Sequence, residues 1–198
     1  MKTFGRLLLL ATMMVPLAKA QDTPVVAGIG PTIEAGAGYE FVYTTVPSQN
    51  PIPMNGLLLS GNADFSRRFG VAAELGYARN FDAFNTNHTA DLFTYMAGPA
   101  FYPVRMRKMN VYTHVLFGGA RETGVNLATD GELLRGYVNK FAWAAGGGLQ
   151  YRITRSLSLR VGADYLHTSF FNPEVKVVGQ SGIRPSASLI YTFGGHKR

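Results

Sequence analysis

From residue 32 onward the chain alternates with a period of two. In its last segment Ile183, Pro185, Ala187, Leu189, Tyr191 and Phe193 fall on one face, and Arg184, Ser186, Ser188 and Thr192 on the other. The segment before it sets Leu157, Leu159, Val161, Ala163 and Tyr165 against Ser158, Arg160, Gly162, Asp164 and Thr168. Successive side chains of a strand point to opposite faces, so this pattern predicts strands. Eight such segments are predicted, at 31–45, 56–66, 70–80, 90–102, 110–121, 139–151, 157–168 and 180–193. About ten residues suffice for a tilted strand to cross a bilayer, and closed bacterial membrane barrels use an even strand number. The connections alternate as well: 66–70, 102–109 and 152–156 are short, whereas 46–55, 81–89, 122–138 and 169–179 are longer. The expected fold is all-β, an eight-stranded antiparallel up-and-down transmembrane β-barrel with its short turns on the periplasmic side.

The chemistry of the two faces distinguishes this barrel from a soluble one, which carries its large apolar side chains inside. One face of each segment is aliphatic and aromatic. The other holds glycines and charges of both signs, including Glu34, Glu40, Asp64, Glu74, His114, Gln150, Arg160, Asp164 and Arg184. Arginine or lysine facing lipid at the midplane costs about 2–4 kcal/mol, so the charged face is expected inside. Counted from the short turns, Glu40 and Arg184 stand at matching heights on the strands that must meet to close the barrel. Their pairing is expected to set the closing register, with Arg160 reaching Glu74 or Asp64. Eight strands enclose only enough room for side chains, so a packed polar interior is expected, with a small solute channel as an alternative. On the apolar face Tyr43, Tyr77, Trp143 and Tyr165 lie near the long-loop ends, and Phe65, Phe101, Tyr151, Tyr191 and Phe193 near the short turns. Two aromatic bands around an aliphatic middle are what a bilayer with two interfaces selects.

Residues 1–20 have a different character. Lys2 and Arg6, an apolar block from Leu7 to Pro16, and Ala18-Lys19-Ala20 make up a secretory signal peptide, implying export through the Sec pathway. The expected division is therefore a signal peptide at 1–20, a short segment at 21–30, the barrel domain at 31–193 and a tail at 194–198. Cleavage takes Lys2, Arg6 and Lys19 from the 19 basic residues and leaves 16 against 12 acidic ones, a net charge of +4 rather than +7. That excess carries no case for nucleic acid as a partner. The chain has no cysteine, which excludes disulfides, thiolate metal sites and a lipid-anchored cysteine. No apolar run reaches the roughly 18 residues of a transmembrane helix.

Three stretches carry a resemblance: Ile33-Glu34-Ala35-Gly36-Ala37-Gly38-Tyr39, Phe69-Gly70-Val71-Ala72-Ala73-Glu74-Leu75-Gly76-Tyr77, and the ending Leu189-Ile190-Tyr191-Thr192-Phe193. Over residues 32–193 the chain resembles the eight-stranded outer-membrane barrels, namely the OmpA-type transmembrane domain and its OmpX- and Opa-like relatives. The resemblance implies a bacterial outer-membrane location, outer-membrane lipids as surroundings, a monomer, and recognition of Tyr191 and Phe193 by the barrel-insertion machinery. Five residues follow Phe193 here, and no second, peptidoglycan-binding domain is expected. A structural or surface-interaction, adhesion-like role follows, with a ligand at the long loops.

Few residues suggest other chemistry. His167-Thr168-Ser169 with Glu174 is similar to the catalytic trio of outer-membrane lipid A deacylases, in which a serine attacks an acyl ester with histidine as base. A lipid A acyl-ester hydrolase is therefore an alternative function, although a non-enzymatic barrel is the expectation. His88, His114, His167 and His196 lack metal-ligand spacing, so neither a metal nor a cofactor is expected. Nine basic residues, Arg67, Arg68, Arg105, Arg107, Lys108, Arg152, Arg155, Lys197 and Arg198, gather at the short-turn side, where headgroups are partly anionic. In 122–138, Asp130-Gly131 is a strong hairpin signal, because its turn needs positive φ at both central residues. The flanking strands are expected to rise past the membrane as a β-ribbon with this dipeptide at its tip.

Overall fold

The computed structural model describes residues 32–45, 51–82, 88–127, 133–170 and 179–193, with the backbone alone at 125–127 and 133–136. The chain forms β1 (Thr32–Thr45), β2 (Ile52–Asp64), β3 (Phe69–Asn80), β4 (Ala90–Arg105), β5 (Met109–Leu127), β6 (Leu133–Arg152), β7 (Leu157–Thr168) and β8 (Gln180–Phe193). Each strand pairs with the next in antiparallel register, and β1 pairs with β8 to close the barrel. Closure leaves no sheet edge at membrane depth, the condition for a sheet to cross lipid. The signal peptide, Glu174 and the Asp130-Gly131 tip lie outside the described residues.

The alternation settles which side chains face in. Glu34, Glu40, Asp64, Glu74, His114, Gln150, Arg160, Asp164 and Arg184 are all buried, whereas Leu57, Leu59, Leu75, Val161, Ile183 and Leu189 are exposed around the outside. Two bounds differ from the sequence expectation by three residues or more, apart from the ribbon. β2 begins at Ile52, not residue 56, because Ile52 and Met54 point inward and so break the rule that apolar residues face out. β4 runs to Arg105 through a bulge between Phe101 and Val104, where Pro103 has no N–H to give to the ladder. β5 and β6 remain paired to Leu127↔Leu133, past the membrane-crossing bounds of 121 and 139, as the expected ribbon requires.

The interior is stacked in three tiers. Glu34, Asn62, Asp64, Gln150 and Arg160 fill the short-turn end, and Glu40, Glu74, His114, Asp164 and Arg184 the middle. Above them Val42, Ile52, Met54, Leu92, Leu116, Leu166 and Phe170 form an apolar plug toward the long loops. Alanines at 78, 90, 120, 142 and 144 complete it, so small and large residues together fill the narrow lumen.

Candidate functional site

Arg184, wholly buried, organises the middle tier. Its Nη2 donates to Asp164 Oδ2 at 2.6 Å and to Glu74 Oε2, its Nε reaches Asp164 Oδ2 at 3.2 Å, and its Nη1 lies 3.6 Å from Glu40 Oε2. Asp164 stands directly across from Arg184 in the β7–β8 ladder and Glu40, which the closing β1–β8 register sets opposite Ser186 rather than Arg184, is a diagonal neighbour, so both are local, while Glu74 approaches across the lumen. His114 lies between the two hydrogen-bonded acids, with Nε2 at 2.9 Å from Asp164 Oδ1 and Nδ1 at 4.0 Å from Glu74 Oε1. Glycines provide the seats. A methyl group on Gly146 would overlap the Asp164 carboxylate, and one on Gly76 would overlap that of Glu40.

Glu74, His114 and Asp164 bring one ligand atom each within 4.8 Å of one another, a spacing that a metal ion could use. Arg184 already takes an oxygen of both carboxylates, and a guanidinium in that position opposes a second cation. The arrangement is that of an ion-pair cluster.

The lower tier differs from the sequence expectation. Arg160 Nη2 meets neither Glu74 nor Asp64. It donates to Glu34 Oε2 at 2.9 Å and to Gln150 Oε1 at 2.7 Å, while Gln150 Nε2 donates to Glu34 Oε1 at 3.0 Å. Its guanidinium also lies 4.8 Å from the Tyr112 ring centroid. Asp64 instead accepts from Arg105 Nη2 at 2.5 Å. By simple parity Arg105 would face lipid, but the extra residue of the β4 bulge sets it opposite Asn110 and turns it inward.

On the outer surface, His167 Nδ1 lies 3.0 Å from Ser181 Oγ, and its ring packs 5.8 Å from that of Trp143. Ser181 is the residue directly opposite His167 in β8, whereas Ser169 is its second neighbour along the chain. Opposed residues have Cβ atoms about 5 Å apart, closer than two residues along a strand, so register explains the partner. Ser169 donates its backbone N–H to Phe141 O at 2.9 Å.

The aromatic residues sit at two levels of this surface. Phe65, Phe101, Tyr151, Tyr191 and Phe193 are exposed near the short turns, joined by Phe69, whose ring lies 5.1 Å from that of Phe101. At the other level Tyr43, Tyr77 and Tyr165 are exposed, and Trp143 packs 5.5 Å from Tyr165. Here hydroxyls find polar partners: Tyr77 donates to Asp91 Oδ1 at 3.0 Å and Tyr95 to Asn139 Oδ1 at 3.1 Å. An apolar ring body with a hydrogen-bonded tip suits the border between lipid and water.

Residues 7–189 match the family model of the outer membrane protein beta-barrel domain. The chain belongs to this outer-membrane β-barrel family. Among solved structures it is similar to Neisserial surface protein A, at 15% identity and a TM-score of 0.63 over 81% of this chain and 97% of that one. It is also similar to Ail, the attachment invasion locus protein of Yersinia pestis, at 15% identity and a TM-score of 0.56 over 82% and 100%. Ail in complex with the heparin analogue sucrose octasulfate aligns at a TM-score of 0.54, again with 15% identity and the same coverage. No curated protein matches the chain in sequence. For an outer-membrane barrel, the two aromatic levels bound the lipid-facing belt, and the interior tiers lie within it.

Proposed function

We propose that this outer-membrane barrel is a structural and surface-interaction protein, with an adhesion-like role centred on the β5–β6 ribbon. The observation that carries this reading is an edge that has no partner strand among the described residues. The β6–β7 ladder ends at Ala142↔Thr168, yet β6 begins nine residues earlier, at Leu133. Beyond one further bond, from Ser169 N–H to Phe141 O, β6 from Leu133 to Lys140 has β5 on one side and, among the described residues, no strand on the other. An open edge can accept a strand from another protein through backbone hydrogen bonds. The barrel is proposed to act as a monomer exported by the Sec pathway, placed by the insertion machinery acting on Tyr191 and Phe193, with its short turns toward the periplasm.

Charge at the ribbon's base suggests the first probe. Arg121 stacks 4.6 Å from the centroid of Tyr137, and Lys140 is exposed nearby. The Ail complex with a heparin analogue makes a sulfated glycan a chemically suitable ligand to try. Cells displaying the full chain should attach to heparin-coated surfaces, and deletion of 125–135 should reduce attachment while the folded barrel still shows heat-modifiable gel migration. Equal attachment by both forms would remove the ribbon from the reading.

A lipid A acyl-ester hydrolase is the second reading, and the His167–Ser181 contact on the lipid-facing surface is what favours it. Release of labelled acyl chain from lipid A, abolished by Ser181→Ala, would establish it. The apolar plug argues against a solute channel, because water and ions lose hydration in passing it.

A further inference from the structure

Two of the short turns are the same structure with different residues. In Phe65-Ser66-Arg67-Arg68-Phe69, the amides of Phe65 and Ser66 both donate to Phe69 O, and Ser66 Oγ accepts from the amides of Arg68 and Phe69. In Ile153-Thr154-Arg155-Ser156-Leu157, the amides of Ile153 and Thr154 donate to Leu157 O, and Thr154 Oγ1 accepts from Ser156 and Leu157. Each presents an exposed apolar side chain first and an exposed arginine third. The remaining turn has the same chemistry, with Met106 beside Arg107 and Lys108, and closes through Met106 N to Met109 O at 2.8 Å. Each turn is also tied to the neighbouring strand, through Tyr102 N to Arg68 O, Arg152 N to Lys108 O and Thr192 N to Ser156 O. The rim is a laced ring.

Its exposed charge has one sign. Across 64–69, 104–109 and 152–157 the acidic residue is Asp64, which is buried against Arg105. The apolar tips are well exposed, Phe65 at 70%, Met106 at 58% and Ile153 at 53%. Ile153 stands two residues beyond Tyr151 of the aromatic belt, at most about 7 Å further along the strand direction. That depth is the headgroup layer of a bilayer, where basic groups meet phosphate and apolar tips meet the upper acyl chains.

We infer that the short-turn rim is a binding surface for acidic phospholipids, each turn pairing a headgroup phosphate with its basic residues and inserting its apolar tip beside the chains. The exposed Phe65, Met106 and Ile153 favour a lipid over a soluble acidic polymer, which would leave them in water. The inference rests on the membrane placement proposed above. Its leaflet follows from the orientation, but its chemistry does not depend on it.

The test is native mass spectrometry of the full-length folded barrel, released from neutral micelles holding equal phosphatidylglycerol and phosphatidylcholine. Phosphatidylglycerol should be retained in preference by about tenfold or more. Replacing Arg67, Arg68, Arg107, Lys108, Arg152 and Arg155 by Gln should abolish that preference, and Arg121→Gln with Lys140→Gln at the other end should leave it unchanged. Should the sixfold variant not fold, the pairs Arg67→Gln/Arg68→Gln and Arg107→Gln/Lys108→Gln should each lower it. Met106→Ser with Ile153→Ser should weaken lipid retention but not binding of soluble polyglutamate. Equal retention of the two lipids, undiminished preference in the folded Gln variants, or complete displacement by polyglutamate would overturn the proposal. An inverted orientation would appear separately, as whole-cell labelling at Arg107→Cys with the lipid preference intact.

Discussion

At the residue scale, the partners of Arg184 are unequal, and that inequality is measurable. Asp164 and Glu74 are hydrogen-bonded to it, whereas Glu40 lies at 3.6 Å. Arg184→Ala leaves three buried carboxylates without their cation and should cost about 3–5 kcal/mol in urea unfolding from vesicles. Double-mutant cycles should give a larger coupling for Arg184 with Asp164→Asn or Glu74→Gln than with Glu40→Gln. Glycine substitutions should separate in the same way. Gly146→Ala drives its methyl group into Asp164 and should destabilise by about 1–3 kcal/mol, while Gly61, whose Cβ would come no closer than 3.9 Å to any non-neighbouring atom, should accept alanine within about 0.5 kcal/mol. Parity alone was enough to place Glu40, Asp164 and Arg184 inside. It could not place Arg105, because a bulge shifts parity by one and leaves little trace in sequence beyond Pro103. Nor could it find Ile52 and Met54, since an apolar plug inverts the very contrast on which the strand reading depends.

At the scale of elements, the ribbon was legible from Asp130-Gly131 and its apolar flanks, but its register was not: a two-residue turn there would set Leu127 opposite Leu134, whereas the ladder pairs Leu127 with Leu133. The partner of His167 was not legible. That depends on register across the β7–β8 loop, whose length allows many registers, and only the built ladder puts Ser181 opposite. The β5–β6 ladder predicts protection from amide exchange at alternate residues from Gly124 to Leu127 and from Leu133 to Val138, since among the described residues one side of each strand has no neighbouring strand there. Uniformly fast exchange across these residues would mean that the ribbon does not persist in solution. Topology is tested independently. Cysteines replacing Asn50, Asn85, Asp130 or Asn172 should react with an impermeant thiol reagent on whole cells, and one replacing Arg107 should not.

At the scale of the molecule, the tiers divide the labour of stability. The lower and middle tiers satisfy their charges mainly through hydrogen-bonded pairs that cross the lumen, so they tie together strands that share no ladder: Arg160 of β7 holds Glu34 of β1, and Arg184 of β8 holds Glu74 of β3. The plug contributes close packing without directional demands. Barrel closure, strand number and the two aromatic levels were readable in advance because lipid imposes them on every strand alike. The cross-lumen pairings were not, because they depend on how far the strands are staggered around the ring.

The uninterrupted β5–β6 ladder also bears on the order in which the barrel is made. All 19 residues of β5 pair with a strand only a few residues away in sequence, whereas β1 and β8 must join the two ends of the described chain. Contacts between near neighbours cost little loop-closure entropy and form early, and contacts between distant segments form late. The central hairpin is thus the natural nucleus on which the flanking strands add outward, with the seam closing last. Gly131→Val should accordingly slow folding into vesicles while changing the unfolding rate little. Ile190→Ala, beside the seam, should mainly speed unfolding, and stopped-flow tryptophan fluorescence of Trp143 reports both.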